Sequence, residues 1–302
     1  MLDSKDAFVN LSLLAANTEK IELGPIAISP YELHPLIMTV SLMTLNEISK
    51  GRAVIVVGAG GALAGNISVD SNDRPVTSTR ECVEIIKQIS TRKKVTFNGK
   101  IFKIRSFKSN WAPNSGPVVY VGANKSNMLN MACESSDGVM MTDIPLEYVN
   151  RIVRQVKDEL VANGRNISSF RINNFYAWHV KDNYEDALKE ARRYTLVRGI
   201  GRPEIAKAIG LSNEEFDLIK RNTQSLFRFL REGIPPKEIP EEILNRIIEK
   251  ITIVGQVSEL HECIEKVYQF KRNGLNEIAL RVYGDAVSSI KLIGEKVVPM
   301  LQ

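Results

Sequence analysis

The chain has 302 residues, of which 44% are hydrophobic and 25% are charged. This composition supports a sizeable core and excludes a disordered chain, a collagen-like repeat and a small disulfide-rich domain. The 40 basic and 35 acidic residues give a net charge of +5 that is spread along the sequence. Because nucleic-acid binding needs a clustered basic footprint, we expect no nucleic-acid partner.

The cysteines and histidines bear on compartment and metal binding. Cys82, Cys133 and Cys263 are far apart, which is typical of a reducing compartment. The three histidines are isolated, and His261 with Cys263 lacks a second ligand pair at metal spacing, so we expect no metal site. With no signal-peptide pattern and no run of 18 apolar residues, the sequence predicts a cytoplasmic protein without a membrane partner.

Periodicity predicts alternating strands and helices along the chain. Helices are expected at 7–17, 36–48, 77–90, 126–134, 146–162, 184–197, 259–271 and 286–298. Six main strands are expected at 21–28, 53–57, 118–121, 138–141, 171–180 and 277–282. An Asn-Gly turn predicts a β-hairpin over 95–104, and the charge-rich stretch 202–250 predicts a helical insertion followed by a short extended piece at 251–255.

This alternation predicts a parallel sheet with helical crossovers, and therefore the α/β class. Six strands suit an open, doubly wound sheet, whereas a closed (β/α)8 barrel needs eight. The pattern alone leaves both architectures open.

The first glycine-rich turn follows the strand at 53–57 and covers 58–65. It lacks the dinucleotide fingerprint because its sixth position is Leu63, and it is no P-loop because Asn66 follows Gly65. By itself it fits a tight turn or a ligand-contacting loop equally well, since glycines allow a flat ligand to approach the backbone.

The second turn, after the strand at 118–121, is a better candidate for phosphate binding. A helix is expected to begin near Ser126, and its free backbone amides together with Lys125 would attract an anion. The alternative is a plain helix start, capped by Asn124 or Ser126.

Several segments taken together resemble one family. They are 23–35, 45–52, 54–60, 81–89, 95–102, 118–124, 136–139, 253–256 and 273–278. In this order they resemble the bacterial luciferase-like monooxygenase superfamily. The similarity is greatest to its deazaflavin-dependent branch, which includes methylenetetrahydromethanopterin reductase, and it extends over nearly the whole chain.

The resemblance implies a (β/α)8 barrel of the TIM type, with residues 1–302 forming a single domain that carries the hairpin and the helical insertion. The first strand, first helix and second strand of the family have no counterpart here, so we expect an incomplete barrel with six of eight strands. The family binds the deazaflavin coenzyme F-420 or FMN at the carboxyl ends of the strands, and its members are often dimers.

Position by position, the resemblance implies ten cofactor-binding residues. They are Ile26, Ala27, Ile28, Gly58, Ala59, Gly60, Gly122, Ala123, Asn124 and Lys125. The first three would back the flavin-like ring, with a non-prolyl cis peptide between Ile26 and Ala27. The next three would border the ring, and the last four would hold the phosphate.

The implied function is hydride transfer between coenzyme F-420 and a small organic substrate. The alternatives are an FMN-dependent monooxygenase of the same fold, or a catalytically inactive barrel acting as a partner subunit. A homodimer through the first two helices is expected. No general acid is evident, because Glu32 and His34 fit helix-entry roles, and the segment 61–76 would contribute to substrate choice.

Overall fold

The computed structural model describes residues 5–60, 74–111, 115–199 and 201–301. The chain forms two compact units, which we call the first unit (residues 1–140 and 156–171) and the second unit (residues 141–155 and 172–302). Within the described ranges, no helix is both long enough and apolar enough to cross a membrane.

The elements begin with those of the first unit. They are α1 (Ala7–Ala16), β1 (Ile26–Ile28), α2 (Pro35–Ile48), β2 (Val54–Val57), α3 (Pro75–Ile89), β3 (Val95–Asn98), β4 (Lys103–Phe107), β5 (Val118–Gly122), α4 (Ser126–Ser135) and β6 (Gly138–Thr142). The chain leaves this unit within β6 and returns to it in the second half of α5 (Leu146–Ala162).

The second unit contains the beginning of α5 and most of the remaining elements. These are β7 (Arg171–Lys181), α6 (Tyr184–Gly199), α7 (Pro203–Ala208), α8 (Asn213–Arg221), α9 (Thr223–Glu232), α10 (Glu241–Ile251), β8 (Thr252–Gln256), α11 (Leu260–Arg272), β9 (Glu277–Val282), α12 (Ala286–Leu292) and α13 (Val298–Leu301). The predicted helical segment 202–250 is therefore confirmed, with four helices packed around apolar side chains such as Ile219, Leu226 and Ile248.

The sheet of the first unit is organised around β2. This apolar strand runs parallel to β1 on one side and to β5 on the other, with Val57 opposite Ile28 and Val121. Its β-branched side chains are mostly buried, as expected for a strand covered on both faces. The shared register brings the carboxyl ends of the three strands to the same level.

The structure has one more parallel strand than the sequence predicts. Among the described residues, seven strands take part in parallel pairing, because the short extended piece at 251–255 is the strand β8. Its residues pair with the carboxyl half of β7, where Thr252 lies opposite Ala177. Local pattern underestimated β8 because Gly255 interrupts its apolar run and the pairing partner lies far away in sequence.

The predicted hairpin is formed by β3 and β4, which pair in antiparallel orientation. The buried carboxylate of Glu81 on α3 accepts hydrogen bonds from the turn amides of Lys100, Ile101 and Phe102, at 2.6, 3.1 and 2.9 Å. A side chain at Gly99 would lie 2.3 Å from the Glu81 carboxylate, so this close approach requires glycine. The carboxylate therefore attaches the hairpin to α3.

Arg52 joins the chain start to the sheet of the first unit. Its guanidinium donates to the carbonyl oxygens of Thr18, Ile21 and Ser49 at 2.6–2.7 Å. It also donates to the Ala15 carbonyl at 3.1 Å, near the end of α1. Four backbone carbonyls that lie outside the sheet ladder are therefore satisfied by one side chain.

Replacing this guanidinium should destabilise the protein. Hydrogen bonds from a charged donor contribute more than neutral ones, so Arg52→Met should lower the free energy of unfolding by about 2–3 kcal/mol. Urea unfolding measures the change. Arg105→Met is the control, because Arg105 is exposed on β4 and has no ion pair among the described residues. Equal losses in the two variants would contradict this role for Arg52.

Candidate functional site

The ten candidate cofactor residues all lie in the first unit, where three strand ends meet. A Cβ placed on Gly58, directly after β2, would lie 3.3 Å from the Cβ of Ala27 on β1. A Cβ on Gly122, at the end of β5, would lie 3.5 Å from a methyl group of Val56 and 3.8 Å from the Gly58 Cα. We call Ala27, Gly58 and Gly122 the small-residue cradle.

The surroundings of the cradle are open and partly apolar. Ile26 is 48% exposed although it lies on a strand, and Ala27 is exposed as well. Gly60 is exposed and has a φ of +101°, a backbone conformation that favours glycine. Backbone and small side chains therefore form this edge of the sheet, which leaves room for a flat ligand to contact the main chain.

The peptide bond between Ile26 and Ala27 is cis, as the family resemblance predicts. The flanking segment pairs with β2, since the Val56 amide donates to the Pro25 carbonyl at 3.1 Å and the Gly58 amide donates to the Ile28 carbonyl at 3.0 Å. The prediction for this bond is thus confirmed.

The helix after β5 begins at Ser126, as predicted, but its N-cap is Lys125 instead of Asn124 or Ser126. The Lys125 side chain is exposed and makes no capping hydrogen bond to the first turn of α4. Ala123 is buried, and its amide donates to the Met140 carbonyl at 3.0 Å. The first turn of α4 and the Lys125 ammonium therefore present positive charge beside the cradle.

Glu32 and His34 have the helix-entry roles expected from the sequence. The Glu32 carboxylate accepts from the Ser29 amide at 3.3 Å, and His34 is the N-cap of α2, accepting from the Leu36 amide through Nδ1. The glycine-rich segment beyond Gly60, including Leu63 and Gly65, lies outside the described residues. Among those described, no group of three or more His, Cys, Asp or Glu side chains is arranged to hold a metal ion.

The second unit contains a polar cluster that sequence reasoning missed. His179, predicted as isolated, is fully buried near the end of β7. Its Nδ1 lies 2.9 Å from Glu190 Oε1 and its Nε2 lies 2.8 Å from the Thr195 hydroxyl. The second Glu190 oxygen is 3.0 Å from the Lys181 ammonium. Residues of α6 become partners of β7 only through helix packing, so sequence spacing does not reveal the cluster.

Aromatic rings cover this polar cluster. Tyr283, just after β9, stacks on His179 with ring centroids 4.8 Å apart and on Tyr194 at 5.2 Å. The Arg281 guanidinium lies 4.8 Å from the Tyr283 ring centre. The stacked rings exclude water from His179, which makes the hydrogen bonds beneath them stronger.

Burial sets the protonation of the cluster. Burial lowers the pKa of His179, although the Glu190 carboxylate opposes the shift. Burial would raise the pKa of Glu190, but hydrogen bonds from His179 and Lys181 outweigh it and lower that pKa. Neutral His179 therefore donates from Nδ1 to the Glu190 carboxylate and accepts from the Thr195 hydroxyl, so the cluster connects α6 to β7.

Parallel strands with helical crossovers define an α/β protein, and its small residues collect at the carboxyl edge of the sheet, the edge at which α/β proteins generally bind ligands. Comparison with known families gives the assignment. The chain belongs to the luciferase-like monooxygenase family, whose model matches residues 2–277. The resemblance stated from the sequence is thus confirmed.

The sequence comparison and the structure comparison both find tetrahydromethanopterin reductases. The 5,10-methylenetetrahydromethanopterin reductase of Archaeoglobus fulgidus is 27% identical over 303 residues, which cover 99% of this chain and 89% of the relative. The structure of the coenzyme F-420-dependent tetrahydromethanopterin reductase from Methanopyrus kandleri matches with a TM-score of 0.80 at 22% identity, covering 99% of this chain and 89% of that chain.

A second solved structure is an F-420-dependent secondary alcohol dehydrogenase in complex with an F-420–acetone adduct. It matches with a TM-score of 0.74 at 18% identity, covering 99% of this chain and 85% of that chain. The two structural matches establish the fold, and the α/β class with a mostly parallel sheet is confirmed.

The His179 cluster makes stability depend on pH. The folded-state pKa of His179 lies below its ordinary value of 6.5, so the unfolded chain binds more protons as pH falls below that value. The free energy of unfolding should therefore rise between about pH 5 and pH 7, and His179→Gln should remove this dependence. Glu190 also makes the free energy of unfolding rise with pH, but at lower pH, below the ordinary glutamate pKa of 4.5.

Urea unfolding at a series of pH values, followed by tryptophan fluorescence, measures this dependence. The exposed residue His261 provides the control variant His261→Gln, which should keep the wild-type slope. The role of His179 is wrong if His179→Gln keeps that slope too.

Proposed function

We propose that this chain is an oxidoreductase that transfers a hydride between coenzyme F-420 and a small organic substrate, with residues 1–302 acting as one barrel domain. The observation that carries the proposal is the small-residue cradle at the carboxyl ends of β1, β2 and β5. The Archaeoglobus fulgidus relative, a methylenetetrahydromethanopterin reductase that aligns with 99% of this chain, supports the same class of reaction.

The cradle fits a flat ring. Ala27, Gly58 and Gly122 leave backbone atoms at the surface, and a Cβ at either glycine would occupy part of this space. Ile26, Ala27 and Ile28 would back one side of the ring, and Gly58, Ala59 and Gly60 would border it. Contact with the half-exposed Ile26 side chain would remove apolar surface from water and favour binding.

The phosphate of the cofactor fits the start of α4. Gly122, Ala123 and Asn124 lead into the helix, and Lys125 makes no capping bond with its side chain. A helix N-terminus favours an anion because its first amides have no partner within the helix. The ammonium of Lys125 would add a direct charge to this interaction.

When bound, the deazaflavin would supply the hydride or accept it. We therefore assign the ten residues to binding and orientation, since in such enzymes the protein contributes positioning and a dry pocket. FMN is the alternative cofactor, and it would make the chain a monooxygenase of the same fold. The free, buried cysteines agree with a cytoplasmic location.

We also propose a homodimer through α1 and α2. The helix α1 is apolar on nearly all sides, which is unusual for an isolated surface helix. Val9 is 70% exposed, Leu13 67% and Leu14 48%, and Ile37 on α2 is 52% exposed. Association of two such faces would remove an apolar patch of this kind from water.

Cofactor binding is tested by titrating the full chain with F-420 and, separately, with FMN while recording absorbance and fluorescence. We expect F-420 to bind more tightly. Gly122→Ala should weaken F-420 binding at least about tenfold, because the added methyl group occupies the cradle. Failure of the folded chain to bind either cofactor would overturn the proposal, and tighter binding of FMN would favour the monooxygenase.

Gly116→Ala is the matched control for this experiment. The nearest heavy atom to a Cβ at Gly116 is 3.5 Å away, the same distance as at Gly122, so the two substitutions impose similar packing demands. Only Gly122 lies in the cradle, and Gly116→Ala should therefore bind F-420 as the wild type does.

The dimer is tested by light scattering coupled to size-exclusion chromatography. Leu13→Glu should convert the dimer to a monomer, because burying a carboxylate without a partner is costly. Val161→Glu, at a residue 64% exposed on α5, should leave the dimer intact. A monomeric wild-type chain would contradict the proposed interface.

A further inference from the structure

Arg202 lies at the carboxyl end of a parallel strand in the second unit. It precedes α7 and is half-buried. One of its nitrogens, Nη2, donates to the carbonyl oxygen of Thr142, the last residue of β6, at the long distance of 3.4 Å. Ligands of open and closed parallel α/β sheets bind at this edge.

The guanidinium of Arg202 is incompletely paired. Its Nη1 is buried and has no hydrogen-bond partner in the part of the chain that the structure describes. No carboxylate of those residues forms an ion pair with it. Burial lowers the pKa of Arg202, and the charges of Glu204 and Asp143 oppose that shift.

An unpaired buried guanidinium is costly, because the charge has lost water and gained no equivalent partner. Arg193 and Arg246 of this unit each have a buried Nε without a partner among the described residues as well. Arg246 nevertheless forms an ion pair with Glu215, and other arginines of the unit are paired more completely. Arg192, for example, pairs with Glu241 at 2.6 Å and bonds to Asn245 at 2.6 Å. An oxyanion placed against Nη1 would supply the missing acceptor of Arg202.

We propose that Arg202 forms a binding site for one oxyanion group, a carboxylate or a phosphate, of an organic ligand. The buried Nη1 would donate a charge-assisted hydrogen bond, which a guanidinium can give to either kind of group. Glu204 and Asp143 reduce the positive potential, so the site would select a single anionic group. The inference goes beyond the proposed function and does not depend on cofactor binding.

Thermal unfolding of the full chain with inorganic phosphate or with succinate tests the site. Each anion that binds the folded chain raises the midpoint, by an amount that grows with the logarithm of its concentration relative to Kd. Arg202→Gln should weaken this binding about tenfold or more, because a charge-assisted hydrogen bond is lost. The two probes separate phosphate from carboxylate as the preferred group.

Two control variants separate this site from the rest of the molecule. Arg154→Gln changes an exposed arginine on α5 and should bind both probes normally. Lys125→Gln changes the proposed cofactor-phosphate site and should keep the part of the shift that Arg202→Gln loses. Loss of cofactor binding and loss of the shift that depends on Arg202 are then distinguishable, because either one can occur without the other.

A third variant tests the cost of the unpaired charge. In buffer without anions, Arg202→Met should unfold at the same temperature as the wild type or higher, because it removes a buried charge that lacks a partner. A lower midpoint would show a structural role and overturn the site. Unchanged probe binding in Arg202→Gln, or no wild-type response to either probe, would overturn it as well.

Discussion

The register of β2 against its two neighbours is the constraint on which the first unit depends. Parallel pairing with β1 and β5 ends the three strands at one level, and Gly58 lies there beside Ala27 and Gly122. A shift of one residue would turn every β2 side chain to the opposite face and separate the three positions. The parallel pairing on both sides of β2 fixes this register, so strand pairing places the three small residues side by side.

The buried polar groups differ in whether the protein itself supplies their hydrogen-bond partners. Glu81 receives three turn amides, Arg52 satisfies four carbonyls, and His179 is bonded through both ring nitrogens. Each of these groups finds its hydrogen-bond partners within its own unit. Arg202 differs from these three groups because its buried Nη1 has no partner among the described residues, a state that it shares with the Nε atoms of Arg193 and Arg246. In the proposed oxyanion site, a ligand would supply the acceptor that Nη1 of Arg202 lacks.

The sequence predicted most of the fold because its patterns are local. The Asn98-Gly99 turn has a strong hairpin preference, and the apolar run of β2 suits only a strand buried on both faces. The prediction failed where a strand or a side chain has its partner in a segment far away in the sequence. Thr252 to Gln256 is a weak strand pattern that β7 stabilises, and His179 finds Glu190 and Thr195 only after α6 has packed. The observed N-cap of α4 is Lys125, which lies one residue from each of the expected residues, Asn124 and Ser126.

The sequence by itself determined the α/β class, most of the order of its elements and the family, and it predicted ten positions for the cofactor. The class and the element order follow from periodicity, whereas the family and the expected cofactor positions follow from a resemblance that short motifs carry. Only the tertiary structure decided that Ala27, Gly58 and Gly122 lie together, that His179 is buried in a network, and that Nη1 of Arg202 has no partner among the described residues. The physical reason is that contact, burial and hydrogen-bond satisfaction depend on which distant segments pack together, and no local sequence pattern specifies those segments.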